Sequence, residues 1–139
     1  MIFSALQDPN CHLKILNMTR INITMTEGVT VITTAQDSKV RTRLEELILD
    51  KNRLRPLSIA RLATLVGISN HLKYLSLRSC GIDDLCFSSI CERLPLTKRL
   101  QKIDFTDNQI TDVSMEEGFS NLMQCVLKPP LTHIMFAQN

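Results

Sequence analysis

Histidine and cysteine are the side chains here that could perform acid–base, nucleophilic or metal chemistry near neutral pH. The 139 residues contain three histidines and five cysteines. His12 and His71 each stand just before a leucine that opens a repeated apolar pattern, whereas His133 lies inside one, and no spacing brings the three together. The sequence also contains no GxxxxGK[ST] phosphate loop and no GxSxG nucleophile turn. We therefore predict that the chain is not an enzyme and uses no cofactor.

The cysteines do not form a set suited to a metal ion. Cys86 and Cys91 are separated by about 140° of rotation around a helix, so they do not share a face. Cys80 occupies a position where its thiol is expected to be a small buried group. Since the number of cysteines is also odd, we predict neither a metal site nor a structural disulfide.

A repeated spacing of apolar residues runs through the chain and is expected to determine where the histidines and cysteines lie in the fold. Segments with the pattern apolar-x-x-apolar-x-apolar begin at Leu13, Leu44, Leu72, Leu100 and Leu131. Their first leucines are 31, 28, 28 and 31 residues apart. The last two apolar residues of each segment are two positions apart, so they share one face of an extended strand. Each segment is therefore predicted to be a half-buried strand.

Helical periodicity follows the strands. The apolar sets are Val29, Ile32 and Ala35; Ile59, Leu62, Leu65 and Val66; Phe87, Ile90, Cys91 and Leu94; and Met115, Phe119, Leu122, Met123 and Val126. Side chains whose oxygens can accept hydrogen bonds from the unpaired amides of a first helical turn occur where the helices should begin. They are Thr24 or Thr26, Asp83 or Asp84, and Thr111 or Ser114. Strand, helix and parallel strand at a near-constant period predict right-handed crossovers stacked into a curved solenoid.

Three copies of the pattern continue through Asn52-Arg53-Leu54, Cys80-Gly81-Ile82 and Asn108-Gln109-Ile110. The extended pattern resembles the leucine-rich repeat LxxLxLxxN/CxL. Its period is similar to that of the ribonuclease-inhibitor-like class, and the run from Leu6 to Leu13 is similar to repeats of NACHT-type sensors. The resemblance implies an α/β fold, a right-handed leucine-rich-repeat solenoid with a concave parallel β-sheet and convex α-helices.

The repeats predict a single domain over residues 1–139, with about four repeats and a truncated fifth. Phe3 and Leu6 fit the end of a preceding helix, and Asn139 fits the asparagine position of the fifth repeat. Natural arrays end in atypical capping repeats, so we expect the chain to be a segment of a longer array. No apolar run approaches the ~18 residues of a membrane span, and we expect a cytoplasmic location that leaves cytoskeletal association open.

Pleat alternation predicts which side chains face the concave side. The residues predicted to bind a partner there are Ile15, Glu46, Ile48, Asp50, Tyr74, Arg78, Lys102, Asp104, His133 and Met135. The apolar members have no core to enter from that face, and apolar anchors beside charges are typical of a protein interface. The alternative is that these residues only satisfy strand propensity.

Charge is unevenly placed although the formal net charge is only +2. Seven basic residues lie between Lys39 and Arg61, and five acidic residues with no basic one lie between Asp104 and Glu117. A solvated rim and the steering of an oppositely patterned protein both explain this distribution. A nucleic acid is disfavoured as the partner, because a phosphate-binding footprint is net basic and continuous.

We predict a non-catalytic protein–protein interaction module, a scaffold or recognition arm, which binds another protein on the concave sheet face. Nucleic acid, membrane and small-molecule substrates are not expected as partners. The alternative is a GTPase-activating regulator, since Pro129-Pro130-Leu131 is similar to a short motif at the start of repeats in Ran GTPase-activating protein.

Overall fold

A computed structural model describes residues 8, 10–21, 43–127 and 131–139. Its strands are β1 (Ile15–Asn17), β2 (Glu46–Ile48), β3 (Tyr74–Ser76), β4 (Lys102–Asp104) and β5 (His133–Met135). Its helices in these residues are α1 (Pro56–Ile68), α2 (Asp84–Cys91) and α3 (Asp112–Leu127), with a 3-10 turn at Leu94–Leu96. The five strands form one parallel sheet in chain order, which confirms the predicted α/β solenoid.

Equivalent residues of successive repeats lie side by side in the sheet. Leu47 pairs with Leu75, and Leu75 pairs with Ile103. All three side chains are 0% exposed and belong to one apolar core with the helix residues Ile59 and Phe87. The second apolar position of the repeat therefore holds the sheet against the helices.

The residues at which the described helices begin are of types that favour a helix start. Asp83 caps α2, since its Oδ1 accepts a hydrogen bond from the Cys86 amide at 2.9 Å, which confirms that predicted start. Helix α1 instead begins with Pro56, whose fixed backbone angle suits a first turn. Helix α3 begins at Asp112, directly after Thr111. Thr24 and Thr26 lie outside the described residues, as does the predicted helix at Val29–Ala35.

The helical periodicity needs two corrections, one after α2 and one in α3. Leu94 is buried, but it lies in the 3-10 turn that follows α2 rather than in that helix. Leu122 is 5% exposed as predicted, but Met123 is 40% exposed. One residue further along a helix is rotated by about 100°, which carries Met123 past the edge of the buried stripe. The side chains of Met115, Phe119 and Val126 lie outside the described residues.

Three phenylalanine rings pack where α2 meets the last two repeats. The Phe87 ring contacts Phe105 edge-on with centroids 5.1 Å apart, and it contacts Phe136 edge-on at 5.6 Å. Phe105 and Phe136 stack at 5.7 Å. Aromatic pairs in these geometries gain about 0.5–1.5 kcal/mol beyond their buried area, so this cluster stabilises the junction of the repeats.

Side chains at the Asn/Cys position of the repeat connect neighbouring turns. Asn52 Nδ2 donates to the Met18 carbonyl at 2.7 Å, and Asn108 Nδ2 donates to the Leu77 carbonyl at 2.8 Å. Cys80, at the equivalent position, is 0% exposed, and its thiol lies 3.3 Å from the Leu49 carbonyl oxygen. Its burial was predicted. This ladder satisfies carbonyl groups that the three-residue strands leave unpaired.

Candidate interaction surface on the sheet

The first residues of the strands form the outer row of the sheet face that points away from the core. Ile15 is 54% exposed, Lys102 and His133 are exposed, and Glu46 and Tyr74 are half-buried. The strand register places Tyr74 between Glu46 and Lys102, and Lys102 beside His133. Pleat alternation thus placed this row correctly.

The middle row is less open than the alternation implied. Ile48 and Met135 are half-buried, but Ser76 is 1% and Asp104 is 4% exposed. Asp104 accepts a hydrogen bond from the Thr106 amide at 2.8 Å, and its other oxygen lies 3.8 Å from Arg78 Nε. Asp104 is therefore a buried group that holds the turn and Arg78, rather than an open charge for a partner.

Asp50 joins two strands at the same end of the sheet. Its Oδ1 accepts hydrogen bonds from the Ser76 hydroxyl at 2.6 Å and from the Arg78 amide at 3.0 Å. The Arg78 side chain is 53% exposed beside this pair of carboxylates. Of the predicted residues at this end, Arg78 is exposed, whereas Asp50 is half-buried and Asp104 is buried.

A groove of about 540 Å³ lies at the other end of the strands. Its walls are Glu46, Lys73, Tyr74, Gln101, Lys102, His133 and Met135. The structure thus brings together Glu46, Tyr74, Lys102, His133 and Met135 from the predicted set. Ile15, Ile48, Asp50, Arg78 and Asp104 lie outside this groove.

Lys73 and Gln101 line the groove but were not predicted. Each stands immediately before a strand, at the second position of the repeat, where alternation along the strand does not reach. The backbone there is nevertheless fixed, since the amides of Gln101 and Lys102 donate to the Lys73 carbonyl at 2.8 and 3.0 Å. The regular repeat register is the sequence signal that could have identified both.

Ion pairs hold the groove wall at Lys73. Lys73 Nζ lies 2.6 Å from Glu45 Oε2, and Lys14 Nζ lies 3.3 Å from Glu45 Oε1. The hydrogen bond from Lys73, followed by that from Lys14, lowers the pKa of the Glu45 carboxyl below its usual value. Glu45 therefore stays charged at neutral pH and orients Lys73 beside Tyr74.

The three histidines lie apart from one another in the structure. His133 Nδ1 lies 2.9 Å from the Thr132 hydroxyl, and His12 Nδ1 lies 3.5 Å from Arg43 Nη1. His133 is on β5 and His12 lies just before β1, so the two histidines are at opposite edges of the sheet. His71 lies in the turn before β3. Across residues 8, 10–21, 43–127 and 131–139, no group of three His, Cys, Asp or Glu side chains could hold a metal ion. No helix of this part of the chain is long and apolar enough to span a membrane.

Comparisons with known proteins agree with this architecture. A family model described as "Leucine Rich repeat" matches residues 69–85 and 100–117, which contain β3 and β4 with the turns that follow them. No curated protein sequence matches the chain significantly.

Among solved structures, the fold is similar to that of "Leiomodin-1 Actin-Binding Site 2 (ABS2)", with a TM-score of 0.84 and 13% sequence identity. The match covers 96% of this chain and 76% of that chain. Together, the two matched repeats and the shared architecture support a leucine-rich repeat protein with an α/β solenoid fold.

Proposed function

We propose that this chain is a non-catalytic protein-interaction module whose partner binds the groove on the sheet face. The observation that carries the proposal is the placement of Tyr74 and Met135. Both are apolar, partly exposed and located on the side of the sheet opposite the helices. Partly exposed aromatic and methionine side chains are enriched in protein interfaces, because they bury much area with little polar desolvation.

Charged groups around the groove supply specificity. Lys102 and Glu46 lie on the strands next to β3, so they flank Tyr74 on opposite sides. A partner segment with an apolar side chain over Tyr74 and an acidic group over Lys102 fits this arrangement. Such rim charges act mainly on association rate and register, whereas buried anchors carry most of the affinity.

Actin is the first partner that we propose to test. The similar solved structure is named an actin-binding site, and it shares the solenoid fold with this chain at low sequence identity. This likeness supports a cytoskeletal protein as the partner class and, with it, an association of this chain with the cytoskeleton. The ribonuclease-inhibitor-like subclass of the repeats stays a prediction.

The test compares the wild-type chain with a Tyr74→Ala/Lys102→Ala variant in titrations against purified actin. Ile68→Ala is the matched control, since Ile68 is a 40% exposed apolar residue at the end of α1. If Tyr74 is an anchor worth at least about 2 kcal/mol, the groove variant loses about 30-fold in affinity. The control should stay within about 2-fold of wild type.

Affinity capture from lysate extends the test beyond actin. Proteins captured by the wild type and the control, but lost from the groove variant, would support the proposal. Capture of a small GTPase in this way would favour the GTPase-activating alternative. Equal binding by the groove variant and the wild type would refute the groove as the binding surface.

A further inference from the structure

A second surface runs along the edge of the solenoid where the helices begin. Leu57, Leu85 and Val113 are the second residues of α1, α2 and α3, and they follow one another at the 28-residue period of the repeats. Their exposures are 55%, 80% and 69%. Because α1 packs on α2 and α2 packs on α3, the three side chains form one apolar row. We call this row and the turns before it the helix-start edge.

The two ends of the helix-start edge carry opposite charge. Lys51, Arg53 and Arg55 are exposed in the turn before α1. Asp112 and Glu116 are exposed in the first two turns of α3, whereas Asp107, in the turn before α3, accepts a hydrogen bond from the Ser79 hydroxyl. Glu116 lies three residues after Val113, so these two side chains share one face of α3.

The acidic groups of the middle repeat contribute less to this contrast, because hydrogen bonds inside the chain engage them. Asp83 caps α2 through the Cys86 amide. Asp84 accepts two hydrogen bonds from Thr111, one from its amide and one from its hydroxyl, both at 2.7 Å. Arg78, in the turn before α2, is exposed but lies 3.8 Å from the Asp104 carboxylate. The remaining exposed charges are therefore basic before α1 and acidic on α3, and Leu85 lies between them.

This pattern is complementary to itself after a two-fold rotation through Leu85. Leu57 of one copy would then face Val113 of the other, and Leu85 would face its own equivalent. Both basic ends would face acidic ends, whereas a parallel arrangement would oppose like charges. We propose that a second copy of this chain docks antiparallel on the helix-start edge. The groove on the sheet would stay open to its own partner in such a dimer.

Sedimentation velocity over a range of protein concentrations tests the proposal. The apolar row is small, so we expect a weak dimer with a dissociation constant on the order of 10 μM. Raising the salt concentration from about 0.05 to about 0.5 M should weaken the dimer several-fold, because exposed charges are screened. A chain that remains monomeric at the highest concentrations would overturn the proposal.

Charge reversal distinguishes this dimer from non-specific association. The Arg53→Glu/Arg55→Glu variant has two acidic ends, and the Asp112→Lys/Glu116→Lys variant has two basic ends. Each alone should dimerise at least ten-fold more weakly than wild type, while an equimolar mixture should recover dimers. Failure of the mixture to recover dimers would reject the antiparallel arrangement.

Folding of the reversed variants is checked by circular dichroism. Arg55 makes no side-chain cap to α1, so its replacement removes no helix cap. If the double lysine variant is unfolded, Glu116→Lys alone replaces it in the mixture, since this residue is exposed beyond the helix start. Leu85→Ser adds an independent measurement, with an expected loss of dimer at any salt concentration. Undiminished dimerisation of Leu85→Ser would also overturn the proposal.

Discussion

Asn108 offers the sharpest test of how neighbouring repeats are joined. Its Nδ2 donates to the carbonyls of Phe105 at 2.7 Å and Leu77 at 2.8 Å. Its Oδ1 accepts from the amides of Cys80 and Ile82, each at 3.0 Å. The Leu77, Cys80 and Ile82 groups belong to the preceding repeat, so one side chain ties two repeats together. Asn108→Ala removes these four bonds, and a longer one from Nδ2 to the Thr106 carbonyl at 3.3 Å, without disturbing the apolar core.

The magnitude follows from these four bonds. A hydrogen bond inside a protein contributes about 0.5–1.5 kcal/mol net, and groups left buried without a partner cost more. Four such bonds give about 4 kcal/mol. Since Asn108 is half-buried, water can reach some of the freed groups, and we expect a loss of about 3–4 kcal/mol. This is a large part of the ~5–15 kcal/mol that stabilises a typical domain.

Urea unfolding monitored by circular dichroism measures the change. A lower midpoint at constant slope would report lost stability rather than a changed unfolded state. Gln109→Ala is the matched control, because Gln109 is the exposed neighbour and its substitution should shift stability by less than about 0.5 kcal/mol. A loss below about 1 kcal/mol for Asn108→Ala, or one equal to the control, would refute this account of the ladder.

Further predictions concern the core, a helix cap and a thiol. Leu75→Ala should cost about 2–5 kcal/mol in urea unfolding, since Leu75 is 0% exposed, and a loss below about 1 kcal/mol would contradict the strand register. Asp83→Ala should cost about 1 kcal/mol at neutral pH. The hydrogen bond from the Cys86 amide lowers the pKa of the Asp83 carboxyl. The stabilisation from this cap is therefore fully present above the unfolded pKa of about 3.9 and disappears as the pH falls further. Identical pH–stability curves for wild type and variant would count against this cap. Burial raises the pKa of the Cys80 thiol to about 12, so iodoacetamide at pH 8 should leave Cys80 unmodified in the folded chain and should label the half-buried Cys11. Peptide mass mapping identifies the labelled residue. Rapid labelling of Cys80 would contradict its burial.

The sequence pattern predicted the strands and their inward residues well. Leu47, Leu75 and Ile103 occupy the second apolar position, and each lies at the centre of a strand with no exposure. Successive side chains of a strand point to opposite faces of the sheet, so apolar residues two positions apart lie on one face. The apolar pattern alone therefore assigns which face of each strand enters the core and which faces outward. Asp83 could likewise be read from the sequence as a helix cap, because capping depends on residues within one turn.

The sheet face was predictable in direction but not in accessibility. Alternation correctly turned Tyr74, Lys102 and Asp104 away from the core. It did not predict that Asp104 is buried, because that burial depends on Arg78 in the neighbouring repeat and on the local Thr106 amide. Residue type therefore did not reveal which outward charge is open to a partner.

By itself, the sequence determined the repeat, the positions of the strands and of the helices that the structure describes, and the side of each strand that enters the core. These features arise from short-range spacing and local capping, which a linear pattern records. Only the tertiary structure decided which outward side chains form the groove, that Lys73 joins them through Glu45, and that Leu57, Leu85 and Val113 align into one row. These features depend on contacts between repeats about 28 residues apart, and such contacts exist only once the repeats have stacked.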